Sequence, residues 1–129
     1  MAVHTFHRDE PDLMLPMVSS DARLVVWPGV GAWDATMNYV VLEPGEENVP
    51  HSHPVSEDTI YILEGRGTVR DLTNDVEFEF EAGQAIFVPV GIQHQVRASR
   101  GVRVVSVGGP CPVDVVMLER AGAKIPPRS

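Results

Sequence analysis

From residue 36 to residue 118 the chain runs in short apolar or alternating stretches, broken at intervals by Gly, Pro, Asn and Asp. The plainest stretch is Val76–Glu81, which reads Val-Glu-Phe-Glu-Phe-Glu. On an extended backbone Val76, Phe78 and Phe80 share one face and the glutamates take the other. Further strands are predicted at 36–42, 59–63, 68–72, 85–89, 94–98, 102–108 and 113–118. Between them stand Pro44 and Gly45, Gly65 and Gly67, Asn74 and Asp75, Gly91, Gly101, and Gly109 and Pro110. Short strands at this spacing, with turn residues between them, predict an all-β sandwich or barrel. No stretch holds a 3.6-residue apolar period for long, so helix is at most a minor component. In residues 1–35, Pro11 and Pro16 interrupt any helix across 12–17, and 24–27 offers one more strand. That segment reads as an arm with an edge strand, 36–118 as the barrel, and 119–129 as a tail that Pro126 and Pro127 leave loose.

Composition narrows the classes. A chain of 129 residues with 43% hydrophobic side chains is one globular domain, large enough to bury roughly two-thirds of its unfolded surface without disulfides. The formal charge of −8, from 18 acidic and 10 basic side chains, repels phosphate backbones and anionic lipid. No nucleic acid and no membrane partner is expected. No apolar run approaches the ~20 residues of a bilayer span, and the first ten residues lack the apolar centre of a secretory signal. Cys111 is the only cysteine, which excludes an internal disulfide. Both features fit a cytoplasmic protein.

The candidate chemistry lies in His51-Ser-His53 and the residues after it. Histidines two apart on extended backbone point to the same side, so His51 and His53 are spaced to share one ion. By the same parity Asp58 travels with Ile60 and Ile62, and Glu57 with Thr59 and Tyr61. If the isoleucines face the interior, Asp58 does too. Alone, a His-x-His is more often a solvated pair than a site. A second patterned segment, running from Gly83 through Pro89 and Gly91 to His94, changes the balance.

Together these segments resemble the two motifs of the cupin superfamily. The first is a glycine, five residues, His-x-His, three or four residues, a glutamate, six residues and a glycine. Gly45, His51, His53 and Gly65 match it, and the carboxylate position falls on Asp58 where the family has Glu. Glu57 satisfies the shorter spacing but leaves Gly65 one residue too far away. The second motif is a glycine, five residues, Pro-x-Gly, two residues, a histidine, three residues and an asparagine. Gly83, Pro89, Gly91 and His94 match, with Ala98 at the last position. The motifs cover residues 45–98 and the implied fold covers 36–118, a small single-domain cupin: a double-stranded β-helix, or jelly-roll barrel. Gly65 and Gly91 also read as turn glycines in their own right.

The resemblance implies one divalent transition metal, Fe, Mn, Ni, Co, Cu or Zn, held by His51, His53, Asp58 and His94. Such a nitrogen- and oxygen-rich set suits any of these ions, and four protein ligands leave room for substrate. Neutral imidazoles are required, so the ion should leave as pH falls below about 6.5. An apolar wall is expected from Ile60, Ile62, Ile86 or Phe87, Val88 and Val96. The resemblance allows a dioxygenase, slightly favoured, or an isomerase, decarboxylase or lyase acting on a small oxygenated substrate. The alternative is a non-catalytic module that binds a metal or small ligand. No catalytic acid or base stands out; Asn38, Tyr39 and Gln93 read as packing or hydrogen-bonding residues. His4 and His7 read as solvated, Cys111 as a small buried residue, and Trp27 and Trp33 as core or interface aromatics. A homodimer is expected from the resemblance, and an edge strand near the N-terminus would give it a motive.

Overall fold

The computed structural model describes residues 2–11 and 13–127. Among them the alternating stretches become strands β1 Leu13–Met14, β2 Asp21–Val26, β3 Met37–Leu42, β4 Glu57–Glu64, β5 Arg66–Asp71, β6 Val76–Glu81, β7 Ala85–Val88, β8 His94–Ala98 and β9 Val104–Cys111. One short helix, α1, spans Val115–Arg120. The strands form an antiparallel six-stranded sheet in the order β1-β2-β3-β9-β4-β7 and a three-stranded sheet in the order β6-β5-β8. This is the all-β architecture that the spacing of turns implied, in the jelly-roll form that the resemblance implied. None of its helices is long and apolar enough to cross a membrane, among the described residues.

Parity along the strands decides what enters the interior. On β4, Asp58 and Ile62 are buried and Ile60 is half-buried, whereas Glu57, Thr59 and Tyr61 are exposed. Leu42, Ile62, Phe80, Val96, Ala98 and Val104 then close one apolar cluster, with Ile60, Val69 and Ile86 packed on it. Phe87, on the opposite face of β7 from Ile86, is 58% exposed, so Ile86 and not Phe87 packs inward, on the core cluster rather than against the cavity beside the histidines. Of the three apolar residues on β6 only Phe80 is buried. It sits opposite Gly67, where an added Cβ would meet its ring, while Val76 and Phe78 stay open on this edge strand. Gly65 has φ 92° at the β4–β5 turn, and a side chain there would strike the carbonyl of Arg103.

A second cluster joins the two ends of the chain: Leu15, Ala22, Leu24, Trp27, Val113 and Leu118. Trp33, Ala123 and Ile125 pack against it, so the start of the tail is held down rather than loose, and both tryptophans serve the core. Arg128 and Ser129 lie outside the described residues, as do Met1 and Asp12. The expected strand at 113–118 is a helix instead. Its valines favoured a strand, but the Asp114 carboxylate accepts the Met117 N–H at 3.1 Å, an N-cap that typically stabilises a helix by ~1 kcal/mol. The good helix formers Met117 to Arg120 follow. Leu118 anchors the turn, its burial adding on the order of 1.5–3 kcal/mol. Cys111 is exposed, not buried, because it ends β9 opposite the outward-facing Glu57; its thiol donates to the Asp34 carbonyl.

Candidate metal centre

The two histidine-bearing segments meet through backbone pairing. His51 N–H donates to the His94 carbonyl at 3.1 Å, and His94 N–H returns a bond to the His51 carbonyl at 2.9 Å. Gly91 N–H adds a bond to the His53 carbonyl at 3.0 Å. Asn48 fastens the same loop to β8, its Oδ1 accepting Val96 N–H at 2.8 Å while its carbonyl accepts from Gln95 Nε2 at 2.9 Å. Asp58 arrives on β4, held between β7 and β9.

These elements bring His51, His53, Asp58 and His94 together, with one ligand atom of each lying within 4.8 Å of all the others. His53 and His94 are each only 2% exposed, Asp58 is 6% exposed, and His51 is half-buried at the rim. Glu57 is exposed on the other face of β4. His4 and His7 are exposed and stand outside the cluster.

Ring orientation follows from what Nδ1 touches. His51 Nδ1 is 2.9 Å from the Val49 carbonyl and His94 Nδ1 is 3.0 Å from the Ile92 carbonyl. A carbonyl only accepts, so each Nδ1 carries the proton and each Nε2 keeps its lone pair in the neutral ring. His53 Nδ1 instead meets Asp114 Oδ2 at 2.7 Å. His53 Nε2, His94 Nε2 and Asp58 Oδ1 are buried with no hydrogen-bond partner. Leaving such atoms unpaired costs about 1–3 kcal/mol each, and a shared cation would relieve all three at once. The donor set therefore fits a divalent transition metal.

The charge states are arranged unevenly. Burial and the neighbouring rings hold His51 and His94 below the usual imidazole value, although the carbonyls at Nδ1 act the other way. Burial opposes charge on His53 too, but the Asp114 hydrogen bond and the Asp58 carboxylate, 3.3 Å from Nε2, outweigh it and raise it to about 9. Burial pushes the Asp114 carboxyl up, and its bonds to His53 and Met117 more than reverse that, leaving it low.

Beside the ligand atoms lies a cavity of about 60 Å³, walled by Val40, Leu42, Ile60 and Val96. Ile62 and Val88 are buried nearby in the core rather than lining it. Asn38 also lines the cavity, and its Oδ1 is buried without a partner. Tyr39 faces out beneath the guanidinium groups of Arg8 and Arg23. Gln93 lines an outer cavity of about 560 Å³ between the His51–His53 loop and α1, together with Met17, Val49, Val116 and Arg120. Val18, His51 and Met117 border both cavities. Asp114 and Met117 were missed in the sequence. The one available signal was an Asp three residues ahead of the helix formers Met117 to Arg120, with Val115 and Val116 between.

Comparison with known proteins agrees with this geometry. Residues 38–108 match the family model described as "Cupin domain". The polyketide synthase CurC of Streptomyces cyaneus is 36% identical over 78 residues, 60% of this chain and 49% of that protein. The tetracenomycin polyketide synthase protein TcmJ of Streptomyces glaucescens is 34% identical over 77 residues, 60% of this chain and 50% of its own. The chain thus spans about half the length of these relatives. Among solved structures, the polyketide cyclase RemF of Streptomyces resistomycificus superposes with a TM-score of 0.67 at 24% identity, over 85% of this chain and 80% of that one. That likeness speaks for the fold. With the three motif histidines converging and more than half the chain matched, this protein belongs to the cupin family.

Proposed function

We propose that this protein is a divalent-metal enzyme whose substrate is a small organic molecule with adjacent or alternating carbonyl and enol oxygens. The observation that carries this reading is the set of buried, unpaired Nε2 and carboxylate atoms bordering a cavity that shares Val18, His51 and Met117 with a larger one outside it. A bound divalent ion would supply Lewis-acid polarisation of a carbonyl or enolate oxygen. The inner cavity, at ~10–15 Å³ per water-sized body, takes only the reacting end of such a molecule. Asn38 Oδ1 is placed to accept the hydrogen of an enol or hydroxyl there. Val40, Leu42, Ile60 and Val96 keep bulk water away, which strengthens every polar contact inside. The outer cavity takes the body of the molecule between Met17, Val49 and Val116, and Arg120, which has no ion-pair partner among the described residues, suits an acidic oxygen.

The names of the two relatives, both polyketide synthase proteins, favour enolisation and ring closure of a polycarbonyl chain within this class. The apolar wall favours a second reading, dioxygenation of the same kind of substrate. The test is a panel of 1,3-dicarbonyl compounds offered to the protein loaded with Fe(II), Mn(II) or Zn(II). Deuterium exchange at the carbon between the carbonyls is followed by NMR, and dissolved oxygen by electrode. Exchange faster than with metal in buffer, and absent in His94→Ala, is expected; oxygen uptake with Fe(II) selects the second reading. A metal-loaded protein that does neither across the panel is a binding module, and the enzyme reading ends.

A further inference from the structure

We propose that Asp114 is the positioning residue of the metal centre: it turns His53 so that Nε2 faces the other ligand atoms, and it does so from the cap of helix α1. The proposal rests on the metal reading above.

The argument begins with how the three rings are aimed. His51 and His94 are each oriented by a carbonyl two residues earlier in the chain, Val49 and Ile92. These are local devices carried inside the motifs. For His53 the equivalent carbonyl is that of His51, which accepts the His94 N–H at 2.9 Å. It serves the bond that zips the two segments together, and His53 Nδ1 turns to another acceptor. The replacement comes from 61 residues away: Asp114 Oδ2 meets His53 Nδ1 at 2.7 Å, with both side chains almost fully buried. An acceptor at Nδ1 fixes the proton there and leaves Nε2 free to ligate, and a carboxylate makes the ring a stronger donor than a carbonyl does.

Asp114 divides its two oxygens between two tasks. Oδ2 holds His53, and Oδ1 accepts the Met117 N–H at the start of α1. The same helix presents Val116 and Met117 to the outer cavity. One side chain therefore fixes a ligand ring and the wall beside it in a common frame.

The two tasks can be separated by substitution. Asp114→Asn and Asp114→Ser both keep a good N-cap. In Asp114→Asn, once the amide oxygen caps Met117, the amide NH₂ faces His53. That group only donates, so it demands a bare Nδ1 and drives the ring proton onto Nε2, where it blocks the lone pair. Asp114→Ser leaves Nδ1 without its partner. Zn(II) affinity is measured by competition with a chelator, alongside thermal melting and the ¹⁵N NMR signals of the histidine rings. Both variants are expected to melt close to the parent and to bind Zn(II) 10–100-fold more weakly, the range for losing an outer partner of a ligating histidine. In the zinc-loaded parent the His53 ring should show its proton on Nδ1 in a short hydrogen bond, and Asp114→Asn should lose that signal.

Parental zinc affinity in Asp114→Asn overturns the proposal while leaving the metal reading intact. Affinity that falls only in step with melting temperature, with the ring signal unchanged, also overturns it by assigning Asp114 a purely structural role. A parent chain that binds no Zn(II) removes the metal reading and this proposal with it.

Discussion

The molecule has two apolar clusters that differ in how they are made. The cluster around Ile62, Phe80 and Val104 comes from strands of both sheets, β3, β4, β6, β8 and β9, and its Leu42 and Val96 line the cavity beside the ligand atoms. The cluster around Leu15, Leu24 and Leu118 joins the first quarter of the chain to its end, and it holds the helix that carries the Asp114 cap. The first cluster builds a barrel that can contain a site. The second holds the helix whose cap residue contacts His53. Stability and metal affinity should therefore separate between them.

The largest effect expected is on stability, and it should be similar in both clusters. Ile62→Ala and Leu118→Ala each remove a side chain at most 4% exposed, so each should cost about 2–5 kcal/mol in denaturant unfolding. Their consequences for Zn(II) should differ. Asp58 stays clamped between β7 and β9 when Ile62 is truncated, so affinity in Ile62→Ala should match the parent under conditions where the variant is folded. Leu118→Ala loosens α1 and with it the Asp114–His53 contact, and should weaken binding toward the ~10-fold end of the outer-partner range. The reverse pattern would break the distinction between the clusters.

The same contrast explains what could be read in the sequence. Strand β6 is visible because its alternation is strict and local, and the parity of β4 alone places Asp58 inside and Glu57 outside. Spacing alone put His51 and His53 on one side, and the resemblance of the segment ending at His94 to a second motif added the third ring to the group. Helix α1 was hidden because Val113, Val115 and Val116 carry strand propensity, and only the tertiary seat of Leu118 and the cap by Asp114 settle the matter. Asp114 offered only the signal of a helix cap, and nothing tied it to His53, because that partner is 61 residues away in sequence. Only Phe80 of its alternating triplet reaches the core, since burial on an edge strand depends on what lies opposite.

The most gradual expected effect is a pH dependence of the metal-free protein, no steeper than about 1.4 kcal/mol per pH unit for one proton. His53 rises from 6.5 to about 9 on folding without metal, so its folded state holds a proton that the unfolded chain releases earlier. The stabilisation is complete below pH 6.5 and is lost as pH rises through 9. His51 and His94 are lowered, so their contribution is present above 6.5 and fades as pH falls below it. Unfolding free energy without metal should therefore peak near pH 6.5. Zn(II) affinity should strengthen between pH 6.5 and 9, because the ion must displace the His53 proton; the loss of metal expected from unperturbed histidines below 6.5 thus extends upward. Flat stability and flat affinity across that window would contradict the clasp of His53 between Asp58 and Asp114.

The most direct measurement is the anomalous-scattering map of a crystal soaked with one divalent transition metal, paired with the metal stoichiometry of His51→Ala and His94→Ala. One ion per chain, bonded to the Nε2 atoms of His51, His53 and His94 and to the Asp58 carboxylate, and lost in both variants, is the expected result. An ion seated elsewhere, or undiminished stoichiometry in the two variants, would contradict the central claim that these four side chains form a single metal centre.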